Sequence, residues 1–203
     1  SQRADGAYPD IAPYNNFWGY GTAAWGDAGV IVPWTVYVMT GDRTILEENY
    51  ESMTRYMQWQ STQEETVEGI RYTHIGAGTA TGDWLAYAPI ESRYVSMTYY
   101  AYVAQLMDSI CTTLGKQHEA ESYRRLYGDI RKEFQQRYML PDGALKEHTQ
   151  TAYLLALRFG LLPEQHRESA RHTLRRLIEE NDYCLSTGFV GTGILCSTLT
   201  DEG

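Results

Sequence analysis

The chain has 203 residues, with 17 Lys and Arg against 26 Asp and Glu, for a formal net charge of −9. That length suits one domain or two small ones, and the acidic balance argues against a nucleic-acid partner, because phosphate backbones attract positive patches. A hydrophobic content of 43% excludes wholesale disorder, and no apolar run reaches the roughly 18 residues of a membrane span, so no membrane partner is expected.

Residues 1–22 are punctuated by Gly6, Pro9, Pro13, Asn15-Asn16, Gly19 and Gly21 and read as a loop. Tyr8, Tyr14, Phe17, Trp18 and Tyr20 make it aromatic, so it is expected to pack on a surface or line a site. Residues 23–40 are apolar around the whole circumference, the mark of a buried helix. Pro33 should kink that helix or mark a late start, and Gly41 should end it. Asp42 should cap an amphipathic helix over 43–64, where Leu46, Tyr50, Met53, Tyr56, Met57 and Gln60 recur at helical spacing.

Residues 65–92 break the pattern, with a short strand expected over 69–74 and Gly82-Asp-Trp-Leu85 beyond it. A connection that long inside a compact domain is usually functional. Helices are predicted again over 93–114, 117–138, 149–159, 164–181 and 187–200, with Gly115 and Gly160 as stops and Pro163 at the first position of the 164–181 helix.

One unit thus recurs: a buried apolar helix stopped by glycine, then an exposed amphipathic helix. Gly41, Gly115 and Gly160 mark the turns, and Gly203 is placed to begin another. The pattern predicts an all-α helical-hairpin array, a toroid if closed and a solenoid if open. Roughly three and a half hairpins are present. The sequence lacks an initial Met and ends as a helix about to turn back, so about half of a six-hairpin ring is expected.

In such a ring the inner helices start at one end. Four segments should gather there: Trp25-Gly-Asp27, Gly82-Asp-Trp84, His148-Thr-Gln150 and Ser186-Thr-Gly-Phe189. An indole stacks on the apolar face of a pyranose while a carboxylate accepts hydroxyl hydrogens, so these segments suit a sugar. The chain's 17 Tyr and 5 Trp fit a wet site of that kind, although most of the Tyr should pack between helices. Every candidate also has a structural reading. Asp27 can serve as a helix-start residue, Asp83 as a turn cap, and Trp25, Trp84, Gln150 and Phe189 as core. Trp18, Trp34 and Trp59 read as packing. Glu147 and His148 are adjacent, so their side chains diverge and make a poor acid/base pair. Asp27 and Asp83 are the weak internal candidates for two carboxylates flanking a glycosidic bond. Cys111, Cys184 and Cys196 have no CxxC spacing and read as small buried hydrophobes. With neither HExxH nor an EF-hand loop, no metal or cofactor is expected.

Seven pieces in order carry a resemblance: Ala24-Trp-Gly-Asp-Ala-Gly-Val-Ile-Val-Pro-Trp34, Thr40-Gly-Asp-Arg43, Ile45-Leu-Glu-Glu-Asn-Tyr50, Gly82-Asp-Trp-Leu85, Thr149-Gln-Thr-Ala-Tyr153, Phe159-Gly-Leu-Leu-Pro163 and Ser186-Thr-Gly-Phe-Val-Gly191. Together they resemble bacterial α-L-rhamnosidases of glycoside hydrolase family 78, from about residue 4 to 203. The resemblance implies an (α/α)6 catalytic domain that releases terminal L-rhamnose with inversion. It implies that residues 1–203 are one partial domain, in which the pattern read above gives an aromatic loop (1–22), a first hairpin (23–64), an active-site excursion (65–92) and further hairpins (93–200). Trp25 and Trp84 match the family's rhamnose-pocket aromatics, with Asp27 and Asp83 beside them. Gln150 and Phe189 complete the expected substrate-binding set. The family's general acid is a Glu in an Asp-Glu-Arg-x-x-Trp-x-Gly-Asp stretch before these residues, and its general base is a Glu after the Thr-Gly-Phe-Val-Gly segment. This sequence has neither, and it has Gly193-Ile194 where Pro-Tyr is common in the family. The chain alone is therefore expected to be inactive.

Two other readings remain. Another helical-toroid carbohydrate enzyme, a glucoside hydrolase or a polysaccharide lyase, would share the fold. A lyase acting on uronates wants a basic groove, which this acidic chain lacks. A non-catalytic helical-repeat module would not need Trp-carboxylate segments at one end. Half a ring should expose Val30, Ile31 and Leu195 and promote self-association. No secretory signal opens the sequence, and the compartment is not legible from it.

Overall fold

The computed structural model describes residues 1–15, 19–63, 65–67, 70–72 and 82–202, with backbone alone for 65–67 and 70–72. Phe17, Trp18 and Gly203 lie outside the described residues. Among those described, seven helices carry the chain: α1 (Ala28–Thr40), α2 (Thr44–Ser61), α3 (Ser92–Thr113), α4 (Gln117–Tyr138), α5 (Gln150–Arg158), α6 (Glu164–Glu179) and α7 (Phe189–Glu202). None of them is long and apolar enough to cross a membrane. Two short strands, β1 (Glu65–Val67) and β2 (Ile70–Tyr72), pair antiparallel with Val67 opposite Ile70. Of the strand expected over 69–74, residues 70–72 are in strand and 69, 73 and 74 lie outside the described residues, and the partner strand was not expected. Gly41, Gly115 and Gly160 have φ of +73°, +76° and +66°, the left-handed geometry of a helix stop that glycine adopts without strain.

The chain forms two compact units, residues 1–78 with 99–130 and residues 79–98 with 131–203. In the first, the described residues of the 1–22 segment, 1–15 and 19–22, form a loop with a bridge between Pro9 and Tyr20. The Asp10 carboxylate accepts from the Thr22 amide and hydroxyl at 2.8 and 2.7 Å. The loop lies on α2: Tyr8 donates to Ser52 Oγ at 2.8 Å and its ring meets Tyr56 at 5.0 Å. The amphipathic pattern of α2 is realised by Leu46, Met53, Tyr56 and Met57, all buried. Each such side chain contributes about 1.5–3 kcal/mol on leaving water.

In the second unit, residues 150–157 of α5 are all buried, and α6 and α7 both pack against this helix. Thr149 caps α5 by accepting from the Ala152 amide at 3.1 Å. The carbonyls of Leu161 and Leu162, just past its end, accept from Gln135 at 2.7 Å and Arg131 at 2.6 Å. Glu202 near the end of α7 is ion-paired with Arg167 and Arg171 of α6. The α6 helix is amphipathic, with Ala170 and Leu174 as its buried residues.

Several sequence expectations need correction. The first helix starts at Ala28 rather than at 23 and runs through Pro33, which is buried inside it. Asp42 accepts from the Thr44 amide at 2.9 Å, but the residue at the N-cap position of α2 is Arg43. Pro163 sits at the N-cap of α6, one residue before the helix. Cys111 is buried, whereas Cys184 and Cys196 are exposed. Val30 is buried, and the exposed apolar residues of α1 are Val32, Val36, Val38 and Met39. A helix that is apolar all round has no pattern from which to tell which face is covered.

Candidate functional site

Three of the four segments singled out above meet in the second unit. Gly82 and Leu85 have φ of +58° and +64°, so a tight turn presents the two residues between them. Asp83 points inward and is buried. Its Oδ2 accepts from Thr151 Oγ1 at 2.5 Å, the Gly188 amide at 2.7 Å and the Gly191 amide at 3.2 Å. Its Oδ1 accepts from the Val190 amide at 2.8 Å. The Phe189 amide donates to the Trp84 carbonyl at 2.9 Å. Asp83 and Trp84 thus satisfy the first three amides of α7, which a helix leaves without partners of its own. The negative charge there also suits the positive end of the helix dipole.

The junction is tight at Gly188, where a Cβ would stand 2.1 Å from the Trp84 carbonyl oxygen. Only glycine permits that approach. On its outer side the rings of Trp84 and Phe189 lie 5.1 Å apart at 34°, with Phe189 61% exposed. Gln150 is buried and works inward: its Nε2 donates to the carbonyls of Leu177 and Cys184 at 3.2 Å each, and its Oε1 accepts from the Ser186 amide at 3.0 Å. It holds the 184–186 strand of chain that leads into the junction. Glu147 and His148 do diverge. Glu147 Oε2 accepts from the Glu91 amide at 3.3 Å, and His148 Nδ1 lies 3.4 Å from the Tyr153 hydroxyl.

The fourth segment belongs to the first unit. Asp27 is fully buried and folds back on its own turn. Its Oδ2 accepts from the Ala24 amide at 2.8 Å, which holds Ala24 at φ +72°. Its Oδ1 accepts from the Tyr56 hydroxyl at 2.8 Å and from Gln60 Nε2 at 3.0 Å. Burial pushes its pKa up from 3.8 to about 6, against those three hydrogen bonds, which lower it. This backfolding is why α1 starts late. Trp25, half-buried, sits on the turn that Asp27 holds.

In both units, then, an indole sits beside a buried aspartate whose oxygens are taken by the protein. Both candidate carboxylates thus accept hydrogen bonds from the protein itself. The partners that sequence reasoning did not assign are Tyr56, Gln60 and Thr151. A signal existed for two of them, because Gln60 and Thr151 are polar residues on otherwise apolar helical faces.

Residues 1–203 match the family model described as the bacterial alpha-L-rhamnosidase six-hairpin glycosidase domain. The chain belongs to this family. It is 39% identical over its whole length to an alpha-L-rhamnosidase of Streptomyces avermitilis, of which it covers 19%, and 33% identical to one of Formosa agariphila, of which it covers 22%. The chain thus spans about a fifth of the length of the curated relatives it matches. Among solved structures, that of Streptomyces avermitilis alpha-L-rhamnosidase complexed with L-rhamnose aligns over the whole chain with a TM-score of 0.88 and 37% identity, covering 19% of that protein. That of Aspergillus terreus alfa-L-rhamnosidase aligns over 89% of the chain and 22% of its own, with a TM-score of 0.75 and 30% identity. The six-hairpin glycosidase membership agrees with the all-α hairpin array expected from the sequence.

Proposed function

We propose that this chain is part of the catalytic domain of an inverting glycoside hydrolase that releases terminal α-L-rhamnose, and that it supplies the aromatic side of the sugar pocket. The observation that carries this reading is the family match over residues 1–203. Likeness to a rhamnosidase structure that contains L-rhamnose supports it. Both compact units fall within that match, which supports treating residues 1–203 as one partial catalytic domain.

Trp84 and Phe189 are the candidates to stack on the sugar ring, because they form an aromatic pair with Phe189 largely exposed. Trp25 is proposed as a further pocket aromatic. Asp27 fixes the turn under Trp25 in the first unit, and Gln150 fixes the approach to Phe189 in the second. The two glutamates that protonate the leaving oxygen and activate water for inversion belong to the parent protein outside these residues.

The test is release of p-nitrophenol from a panel of aryl glycosides, including the α-L-rhamnoside, by the parent protein and by the 203-residue chain. Cleavage of the rhamnoside by the parent alone is expected. Cleavage by the 203-residue chain as well would return Asp27, Asp83 or another internal acid to the catalytic role, and failure of both would leave fold without substrate. In the parent, Trp84→Ala should weaken rhamnose binding with a modest change in stability. A loss of about 3–5 kcal/mol in stability would instead make Trp84 a core anchor.

A further inference from the structure

We infer that Asp83 is a positioning residue: it holds the start of α7 against the Gly82–Leu85 turn and thereby sets Trp84 and Phe189 as one sugar-binding surface. The inference rests on the rhamnosidase reading above and goes beyond it in giving the carboxylate a mechanical role. Four donors converge on this one side chain, from Thr151 on α5 and from Gly188, Val190 and Gly191 around the start of α7. They lie 68 to 108 residues away in the sequence, so the turn cannot keep its place by local structure alone. The Phe189 amide reaches the carbonyl of Trp84, the residue next to Asp83, so the two rings are tied through their own backbones. A Cβ at Gly188 would stand 2.1 Å from the Trp84 carbonyl oxygen, so glycine there lets the two segments close on each other. All four partners of Asp83 donate, so the group works as an acceptor inside the protein.

An acid or base at this position would behave differently from a positioning group, and kinetics separates them. The parent protein carrying Asp83→Asn keeps the shape but sets an amide N–H₂ against backbone N–H groups. The expected result is a rise of about tenfold in both KM for the aryl α-L-rhamnoside and Ki for L-rhamnose, with kcat changed less and both limbs of the kcat pH profile kept. Gly188→Ala leaves the carboxylate intact and pushes the same junction apart, so it should move KM and Ki in the same direction. Thr151→Val, which deletes one donor, should do so more weakly, and it serves as the readout if Asp83→Asn does not fold. A collapse of kcat with loss of one pH limb and an unmoved Ki would overturn the inference in favour of acid/base chemistry. Lowered thermal stability with KM and Ki unchanged would overturn it in favour of scaffolding alone. A parent protein that neither cleaves rhamnosides nor binds L-rhamnose would instead remove the functional reading on which the inference rests.

Discussion

Asp27 is a fully buried carboxyl group, and two effects compete for it. Burial favours the neutral acid, while the Ala24 amide, Tyr56 and Gln60 favour the anion. Burial wins, with a pKa of about 6 against an ordinary 3.8. The folded state therefore holds its proton more tightly than the unfolded chain. The stability that this supplies is complete below about pH 4, falls as pH rises through the interval from 3.8 to about 6, and is gone above it. The full interval corresponds to about 3 kcal/mol. Asp27→Asn has no proton to lose there. Denaturant midpoints measured from pH 4 to 7 should show the variant gaining on the native protein as pH rises, with the gain ending near pH 6. A flat difference would mean that the three hydrogen bonds outweigh burial.

Among the elements, α5 and α7 show how differently two apolar helices can be used. Helix α5 is covered on every side along residues 150–157, so its side chains have no room to relax. Leu154→Ala should cost about 2–5 kcal/mol in chemical denaturation, since the cavity it leaves is closed around. Helix α7 buries Val190, Gly191 and Thr198, while Phe189 and Leu199 are exposed. Besides its packing on α5, it is held at its two ends, by Asp83 at the start and by the Glu202 ion pairs with Arg167 and Arg171 at the finish. Glu202 is largely covered, so Glu202→Ala takes the acceptor from Arg171 and leaves Arg167 only its longer ion pair with Glu164. A loss of about 1.5–3 kcal/mol is expected in the same assay, and substitution of exposed Glu168 should cost almost nothing.

For the whole molecule, what matters is that the chain is about a fifth of the length of its relatives and carries uncovered apolar residues. Val38 and Met39 of α1 are 62% and 81% exposed, with Val32 and Val36 on the same helix. We propose that the isolated 203-residue chain self-associates through such residues. Sedimentation velocity should give a weight-average mass that rises with concentration, and Val38→Asp with Met39→Lys should lower it toward the 23.2 kDa monomer. A concentration-independent monomer would retire this expectation.

The helical-hairpin class was legible in the sequence because it rests on local rules. Glycine alone stops a helix cheaply in left-handed geometry, and Gly41, Gly115 and Gly160 do so where the apolar and amphipathic periods end. The amphipathic helices, α2 and α4 above all, were bounded to within a few residues because their period is written in neighbouring residues. The aromatic and acidic residues of the candidate site were also legible, as short motifs beside helix starts. Their orientation was not. Whether Asp83 faces a sugar or the amides of α7 depends on partners about a hundred residues away, and whether Asp27 meets solvent depends on Tyr56 and Gln60. Composition and spacing state which groups are available. Which of them point inward is decided by the need to satisfy every buried donor and acceptor, and that is a property of the tertiary structure alone.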